Sequence, residues 1–311
     1  MKQVLVTGGA GYIGSVLVPK LLNAGHEVIV IDNFMYKQTS LSSVVTDSNL
    51  KLVYGDVRDK SLMKSFLKTA DIVIPLAAIV GAPACEKDPL LSSSINKDAT
   101  LWLLENISKS QQVIMPTTNS AYGSGDKNHF CNEKSPLNPL SLYAKDKVSV
   151  EKFLMEKEYA TSFRLATVFG MSSRMRLDLL VNNFVYRALT DKFVVLFEGH
   201  FKRNYVHVLD VADAFMFAIQ NPDSVKNEIF NFGLSEANIS KKELCEAIHK
   251  FLPEFTFSEA PLAKDPDQRN YIVSNEKIES VGMKAKISLS AGIEELIKGL
   301  VMFKTYPFSN L

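Results

Sequence analysis

A chain of 311 residues is long enough to bury a sizeable core and to divide into about two lobes. Its 46% hydrophobic and 22% charged residues are ordinary for a globular protein, and a formal net charge of +1 supplies no global field for nucleic acid or an anionic membrane. Any anionic ligand must therefore be held by a local site.

Val4-Leu5-Val6 predicts a first buried strand almost at the start of the chain, too short for a secretory apolar region. No later apolar run reaches the roughly 18 residues that span a bilayer. Cys85, Cys131 and Cys245 are scattered and form no Cys-x-x-Cys pair. Free thiols in a reducing cytosol, and a soluble cytoplasmic protein, are the expectation. Tyr12 to Leu22 reads as a helix, Val28 to Ile31 as a second strand, Lys51 to Tyr54 as a third and Ile72 to Ile74 as a fourth. Ser92 to Ile107 reads as a helix, Val113 to Met115 as a fifth strand, Leu142 to Tyr159 as a long helix, and Ser162 to Ala166 as a sixth strand. Continuous apolar strands separated by helices predict an α/β fold, a doubly wound parallel sheet of Rossmann type. After Gly170 the rhythm becomes irregular up to a last helix, Ala291 to Phe303. Residues 1–170 are thus expected to form a dinucleotide-binding domain, and residues 171–311 mainly a smaller lobe for a second ligand.

Glycines at 8, 11 and 14 follow the first strand and open the first helix. Gly8 permits a tight turn, Gly11 a close approach to a diphosphate, and Gly14 close packing of helix on strand. Tyr12 and Ile13 lie inside this turn, at the helix N-terminus, where free N–H groups favour phosphate. Asp32 ends the second strand, where a carboxylate accepts the adenosine ribose hydroxyls and repels a 2′-phosphate. Asn33 and Phe34 add no cation for such a phosphate, so NAD is favoured over NADP.

Tyr143 and Lys147 form Tyr-x-x-x-Lys, which on a helix puts both side chains on one face. A tyrosine is a poor base at neutral pH, and a neighbouring ammonium together with oxidised nicotinamide should lower its pKa. Thr118, just beyond the fifth strand, lies where parallel sheets bind ligands, with Thr117 as the alternative.

The stretch Thr7 to Ser15 resembles the opening of the extended short-chain dehydrogenases, the nucleotide-sugar epimerases and dehydratases. The likeness runs through nearly the whole chain. It implies an adenine contact at Asp56-Val57, a cofactor loop at Leu76-Ala77-Ala78 and a nicotinamide-side residue at Asn96. It implies that Thr118 holds the reacting sugar hydroxyl. A 4,6-dehydratase of this group would carry Asp-Glu after that threonine; Asn119-Ser120 stand here instead, as substrate contacts without a carboxyl pair. Arg203, in Arg203-Asn204-Tyr205-Val206-His207, would grip a substrate diphosphate, and Arg269 is a second candidate. Arg174, Arg176 and Asn182 fall in the region that folds over the nucleotide. Thr167 stands where many relatives carry a sugar-contacting Asn. Asp210 is expected to cap a helix from Val211 to Ile219, and His207 to be structural, with no metal site. The segments 117–123 and 163–182 also resemble a branch containing GDP-heptose 4-oxidases.

The resulting expectation is an NAD-dependent enzyme that oxidises a carbinol, at C4, of a nucleotide-diphosphate sugar, as a homodimer without nucleic-acid or membrane partners. A reductase of a small carbonyl compound and a non-catalytic NAD-binding regulator are the rival readings.

Overall fold

The computed structural model describes residues 1–124, 130–260 and 269–303. The strands in chain order are β1 Gln3–Thr7, β2 Glu27–Asp32, β3 Leu50–Tyr54, β4 Ile72–Pro75, β5 Gln112–Thr118, β6 Ala160–Leu165, β7 Thr167–Phe169, β8 Phe193–Leu196, β9 Lys202–His207, β10 Glu228–Phe232, β11 Asn238–Ser240 and β12 Thr256–Glu259. Seven of them form one sheet in the order β10-β6-β5-β4-β1-β2-β3, every pair parallel. The order reverses beside β1, which makes the doubly wound topology expected from the apolar runs.

The strands alternate their buried side chains between two cores. Leu5, Ile29, Ile31, Val73 and Val113 face the helices Lys60–Leu67, Thr100–Glu105 and Leu142–Leu154. Val4, Val6, Val28, Val30 and Ile74 face the helices Gly14–Asn23 and Val208–Gln220. Burial on both faces is why these strands read as unbroken apolar runs.

The chain leaves the sheet at Ala166. β7 pairs with β9, and β9 with β11, in a separate three-stranded sheet. It then returns: β10 lies along β6, with Phe230 and Phe232 against Phe163. The seventh strand of the main sheet thus comes from beyond residue 170.

Two helices differ from expectation. The one starting at Leu142 stops at Leu154, and Tyr159 takes a positive φ of 55° as the chain turns into β6. The stretch from Ser92 is not a single α-helix: a π-helical segment, Ser94–Ala99, joins Pro89–Ser93 to Thr100–Glu105. Among the described residues no helix is long and apolar enough to cross a membrane.

Candidate active site

One cavity of about 550 Å³ runs from the carboxyl ends of β1, β2 and β4 to the three-stranded sheet. That volume lies in the ordinary range for ligand sites. Its floor is the glycine turn. Gly8 has a φ of 66°, and a Cβ there would sit 2.6 Å from the Ala77 Cα. A Cβ on Gly14 would fall 2.3 Å from the Gly9 carbonyl oxygen. Side chains are thereby excluded from the turn, and the N-terminus of the helix Gly14–Asn23 opens onto the cavity. Gly8, Gly11, Tyr12, Ile13, Gly14, Asn33, Val57, Leu76, Ala77 and Ala78 all line it.

Asp32 fastens this turn to the loop after β2. It accepts hydrogen bonds from Ala10 N at 3.0 Å, Phe34 N at 2.8 Å and Gln38 Nε2 at 3.2 Å. Burial raises its pKa, and these bonds oppose the rise. Asp56 also lines the cavity but is already committed to Arg58, whose Nε and Nη2 donate to it at 2.9 and 2.8 Å and hold its carboxyl below the usual range.

At the other end, Ser141 caps the helix Leu142–Leu154, accepting from Ala144 N at 3.3 Å. Tyr143 and Lys147 follow one turn apart, with Lys147 Nζ 6.0 Å from the Tyr143 ring centre. Both line the cavity. Burial pushes the Tyr143 hydroxyl up to about 12, with the Arg176 and Arg269 charges opposing the shift. Burial pushes Lys147 down to about 8. In the protein alone, then, the tyrosine is not lowered as expected: desolvation penalises either charged form, and the charges that oppose the rise are those of Arg176 and Arg269 rather than Lys147.

Thr117 and Thr118 divide the roles that the sequence left open. Thr117 Oγ1 donates to Glu151 Oε2 at 2.7 Å and shares a 2.9 Å bond with Ser162 Oγ. Thr118 Oγ1 instead accepts from Ser120 N at 3.1 Å and donates to Ser120 Oγ at 2.9 Å. Arg269 Nη1 donates to the same Ser120 hydroxyl. Arg203, on β9, and Thr167, on β7, complete this end. Arg176 also lines it and is paired with Asp178.

Several expected contacts are not made. Asn182 is fully buried and outside the cavity lining: it accepts from Gly170 N at 3.0 Å and donates to Tyr12 Oη and the Arg176 carbonyl. Its amide satisfies backbone of the segment that crosses the site, so no donor is left for a nucleotide. Asn119 is turned inward by the 3₁₀ turn Asn119–Tyr122, while Ser120 faces the cavity. Asn96 works one layer back, accepting from Ile79 N and donating to Ile79 O, both at 2.8 Å, and so shapes the loop that lines the site. Asp210 does not cap a helix. His207 does, through Leu209 N, and the Asp210 oxygens accept from Lys286 N and Ile287 N. His207 Nε2 lies 3.0 Å from Glu295, in the structural role expected of it. Residues 265–268, which precede Arg269 in its motif, lie outside the described residues.

Sequence reasoning missed Met35, Tyr36 and Gln38 on the loop after β2, and Gly81 to Ala84. The available signal was the Pro83 and Gly81 punctuation after β4, which marks a loop at the carboxyl end of the sheet.

Residues 4–233 match the model of the NAD dependent epimerase/dehydratase family. The chain belongs to that family. It is therefore an NAD-dependent protein, and the glycine turn, Asp32 and the adjoining cavity are the residues suited to hold the dinucleotide. The chain is 29% identical, over 95% of its length and 97% of the relative's, to a putative UDP-glucose 4-epimerase of Methanocaldococcus jannaschii. It resembles the Thermotoga maritima UDP-glucose 4-epimerase with a TM-score of 0.83 at 26% identity, covering 97% of this chain and 99% of that one. Pal from Bacillus thuringiensis shares the fold, with a TM-score of 0.87 at 23% identity and coverage of 97% and 100%.

Proposed function

We propose that this family member is a nucleotide-sugar epimerase or oxidoreductase that oxidises a sugar carbinol at C4. The observation that carries the reading is the union, in one cavity, of the glycine turn with Thr118, Tyr143 and Lys147 and with the lobe arginines Arg203 and Arg269. NAD, when bound, supplies the hydride acceptor. Thr118 aligns the sugar hydroxyl, Tyr143 Oη takes its proton, and Lys147 stabilises the phenolate that must form. Arg203 holds the substrate's diphosphate, a match for a forked guanidinium. The names of the relatives, UDP-glucose 4-epimerases among them, support a nucleotide-linked sugar. Asn119-Ser120 after Thr118 supply no carboxyl acid and base, which disfavours elimination of water.

A small carbonyl substrate would have no use for the buried Arg203, and a non-catalytic regulator none for Tyr143 beside Lys147. A panel of UDP-, GDP-, CDP- and dTDP-sugars, with product analysis, tests the reading. One of them should bind and be epimerised or oxidised. Arg203→Ala should weaken that ligand about ten-fold or more, the measure of a charged hydrogen bond to phosphate, while NAD affinity stays nearly unchanged. If no nucleotide sugar binds, the substrate class is wrong; unchanged affinity in the variant removes Arg203 from the site.

The reading includes a cytoplasmic homodimer. Two copies pair through the helical stretch of residues 89–105 and the helix Leu142–Leu154, an isologous contact. Light scattering at micromolar concentration should return twice the 34.6 kDa chain mass; a monomer would remove this element.

A further inference from the structure

The arginines of the cavity are held in different ways. Arg174 lies 4.4 Å over the Tyr36 ring and donates to the Met175 carbonyl, and Arg176 is paired with Asp178. Arg269 reaches a hydroxyl, that of Ser120. The segment that delivers it is pinned from two sides. Asn270 Oδ1 accepts from Lys202 N of β9 at 2.9 Å, and Tyr271 N donates to Lys202 O at 3.2 Å. Cys131 N donates to Ile272 O at 2.8 Å, and the Tyr271 ring meets the Tyr122 ring edge-on at 6.2 Å. A guanidinium is thus placed on the turn that follows β5, 149 residues earlier in the chain.

Ser120 is buried and lines the cavity. Its Oγ accepts from Arg269 Nη1 and, at 2.9 Å, from Thr118 Oγ1, while its backbone N donates back to Thr118 Oγ1 at 3.1 Å. Two donors fill both lone pairs of a hydroxyl. The serine's own proton is left to give, and among the described residues no acceptor takes it. Thr118 stands the other way round: its one proton is committed to Ser120, so it aligns a ligand through that serine. Successive hydrogen bonds polarise one another, and a cation at the head of the chain strengthens the last donor.

We propose that Ser120 is a fourth catalytic residue: its hydroxyl, polarised by Thr118 and Arg269, donates to the sugar oxygen that becomes the carbonyl. This rests on the carbinol-oxidation reading of the cavity. The O–H proton passes to Tyr143, and the hydride leaves carbon with its electron pair for NAD. Negative charge gathers on the oxygen before the O–H electrons close the C=O bond. A preorganised donor at that oxygen lowers the barrier more than it tightens the bound carbinol. When hydride returns, the same bond polarises the carbonyl. Arg269 acts through Ser120 and is therefore a positioning residue. Its charge also opposes the rise of the Tyr143 pKa, in keeping with a place beside the reacting atoms. The substrate's diphosphate is left to Arg203.

The best-binding sugar of the panel above and its 4-deoxy analogue are the probes. In single turnover at saturating sugar, Ser120→Ala should slow NADH formation about 10²–10³-fold, the usual loss of one oxyanion donor. NAD affinity and the melting temperature should not move. Ser120→Thr, which keeps a hydroxyl, should recover most of the rate. Calorimetry gives a reading without turnover. Ser120→Ala should bind the parent sugar about two- to ten-fold more weakly, the net value of one hydrogen bond. The analogue, which offers no oxygen there, should bind both proteins alike. Arg269→Gln should also slow the reaction, and the double variant should lose less than the product of the two single losses, because one residue acts through the other. Ser120→Ala as fast as wild type, or equally weakened for both sugars, would overturn the assignment. Losses that multiply, or weaker UDP and GDP at an unchanged rate in Arg269→Gln, would return Arg269 to the diphosphate. A wild type that binds the sugar yet forms neither NADH nor an epimer would fail the carbinol-oxidation reading instead, and the two sugars would still decide the Ser120 bond.

Discussion

Tyr143→Phe should slow single-turnover oxidation of the nucleotide sugar, read as NADH absorbance, by about 10²–10⁴-fold, the usual worth of a positioned base. The ring still packs, so folding and NAD affinity should survive. The pH profile carries a sharper test. With the tyrosine near 12 and the lysine near 8, both groups hold their protons at neutral pH. The active pair, phenolate beside ammonium, is one proton short of that state, so the rate should climb about ten-fold per pH unit. Above about 8 the pair holds one proton, resting mainly on the tyrosine. The active form is then a minor tautomer of constant share, and the rate should level off. The positive charge of oxidised nicotinamide moves both titrations down, so the break should lie at or below about 8. Lys147→Met should abolish the break, with the rate still climbing beyond pH 10, because the tyrosine must now lose its proton outright. A variant at Tyr143 as fast as wild type, or a break unmoved by Lys147→Met, would exclude this pair as the proton acceptor.

Glu151→Ala should cost about 3–5 kcal/mol of unfolding free energy. Glu151 sits two turns beyond Tyr143 on the same helix, and it is buried against Arg164 of β6, each side chain 4% exposed. Its carboxylate accepts from Arg164 Nε at 3.0 Å and Nη2 at 2.7 Å, from Thr117 Oγ1 at 2.7 Å and from Ser162 Oγ at 2.8 Å. Arg164 goes on to donate to Tyr122 Oη at 3.0 Å, which donates to Asn231 on β10. Truncating the glutamate leaves a buried guanidinium without its counter-charge and takes an acceptor from two buried hydroxyls. Glu151→Ala combined with Arg164→Met should lose less than the sum of the single variants, since no charge is then left alone. Urea titration followed by circular dichroism measures each. A loss below about 1 kcal/mol in Glu151→Ala would show that the pair is not what anchors the helix to the sheet.

The sheet was legible because both faces of its central strands are buried, so β1, β2, β4 and β5 announce themselves as short apolar runs. The glycine turn, Asp32, Tyr143 and Lys147 were legible because local backbone geometry demands those residues at those spacings. What stayed hidden depends on distant neighbours. Asn182 looks like a ligand contact until Gly170 N and the Arg176 carbonyl are seen to consume it. Tyr36 and Gln38 carry no motif; they matter because Asp32 and Arg174 meet them. β10 pairs with a strand more than sixty residues earlier, a closure that no local pattern encodes. One signal was there to be read: Phe163-Arg164-Leu165 puts a charge in the middle of a buried strand, which requires a buried acid nearby.

The return of β10 has a consequence for building hybrids from this scaffold. A graft that cut the chain at residue 170 would leave Phe163 without Phe230 and Phe232, and the edge of β6 open to pairing with another molecule. It would also strip the helix Val208–Gln220 from the one that begins at the glycine turn, where Lys20 meets Asp213. Exchanging specificity between relatives therefore has to proceed in patches, replacing the stretch between β6 and β9 and the segment around Arg269 while leaving β10 in place. The unit that recombines is the set of loops above the sheet, not the C-terminal half of the chain.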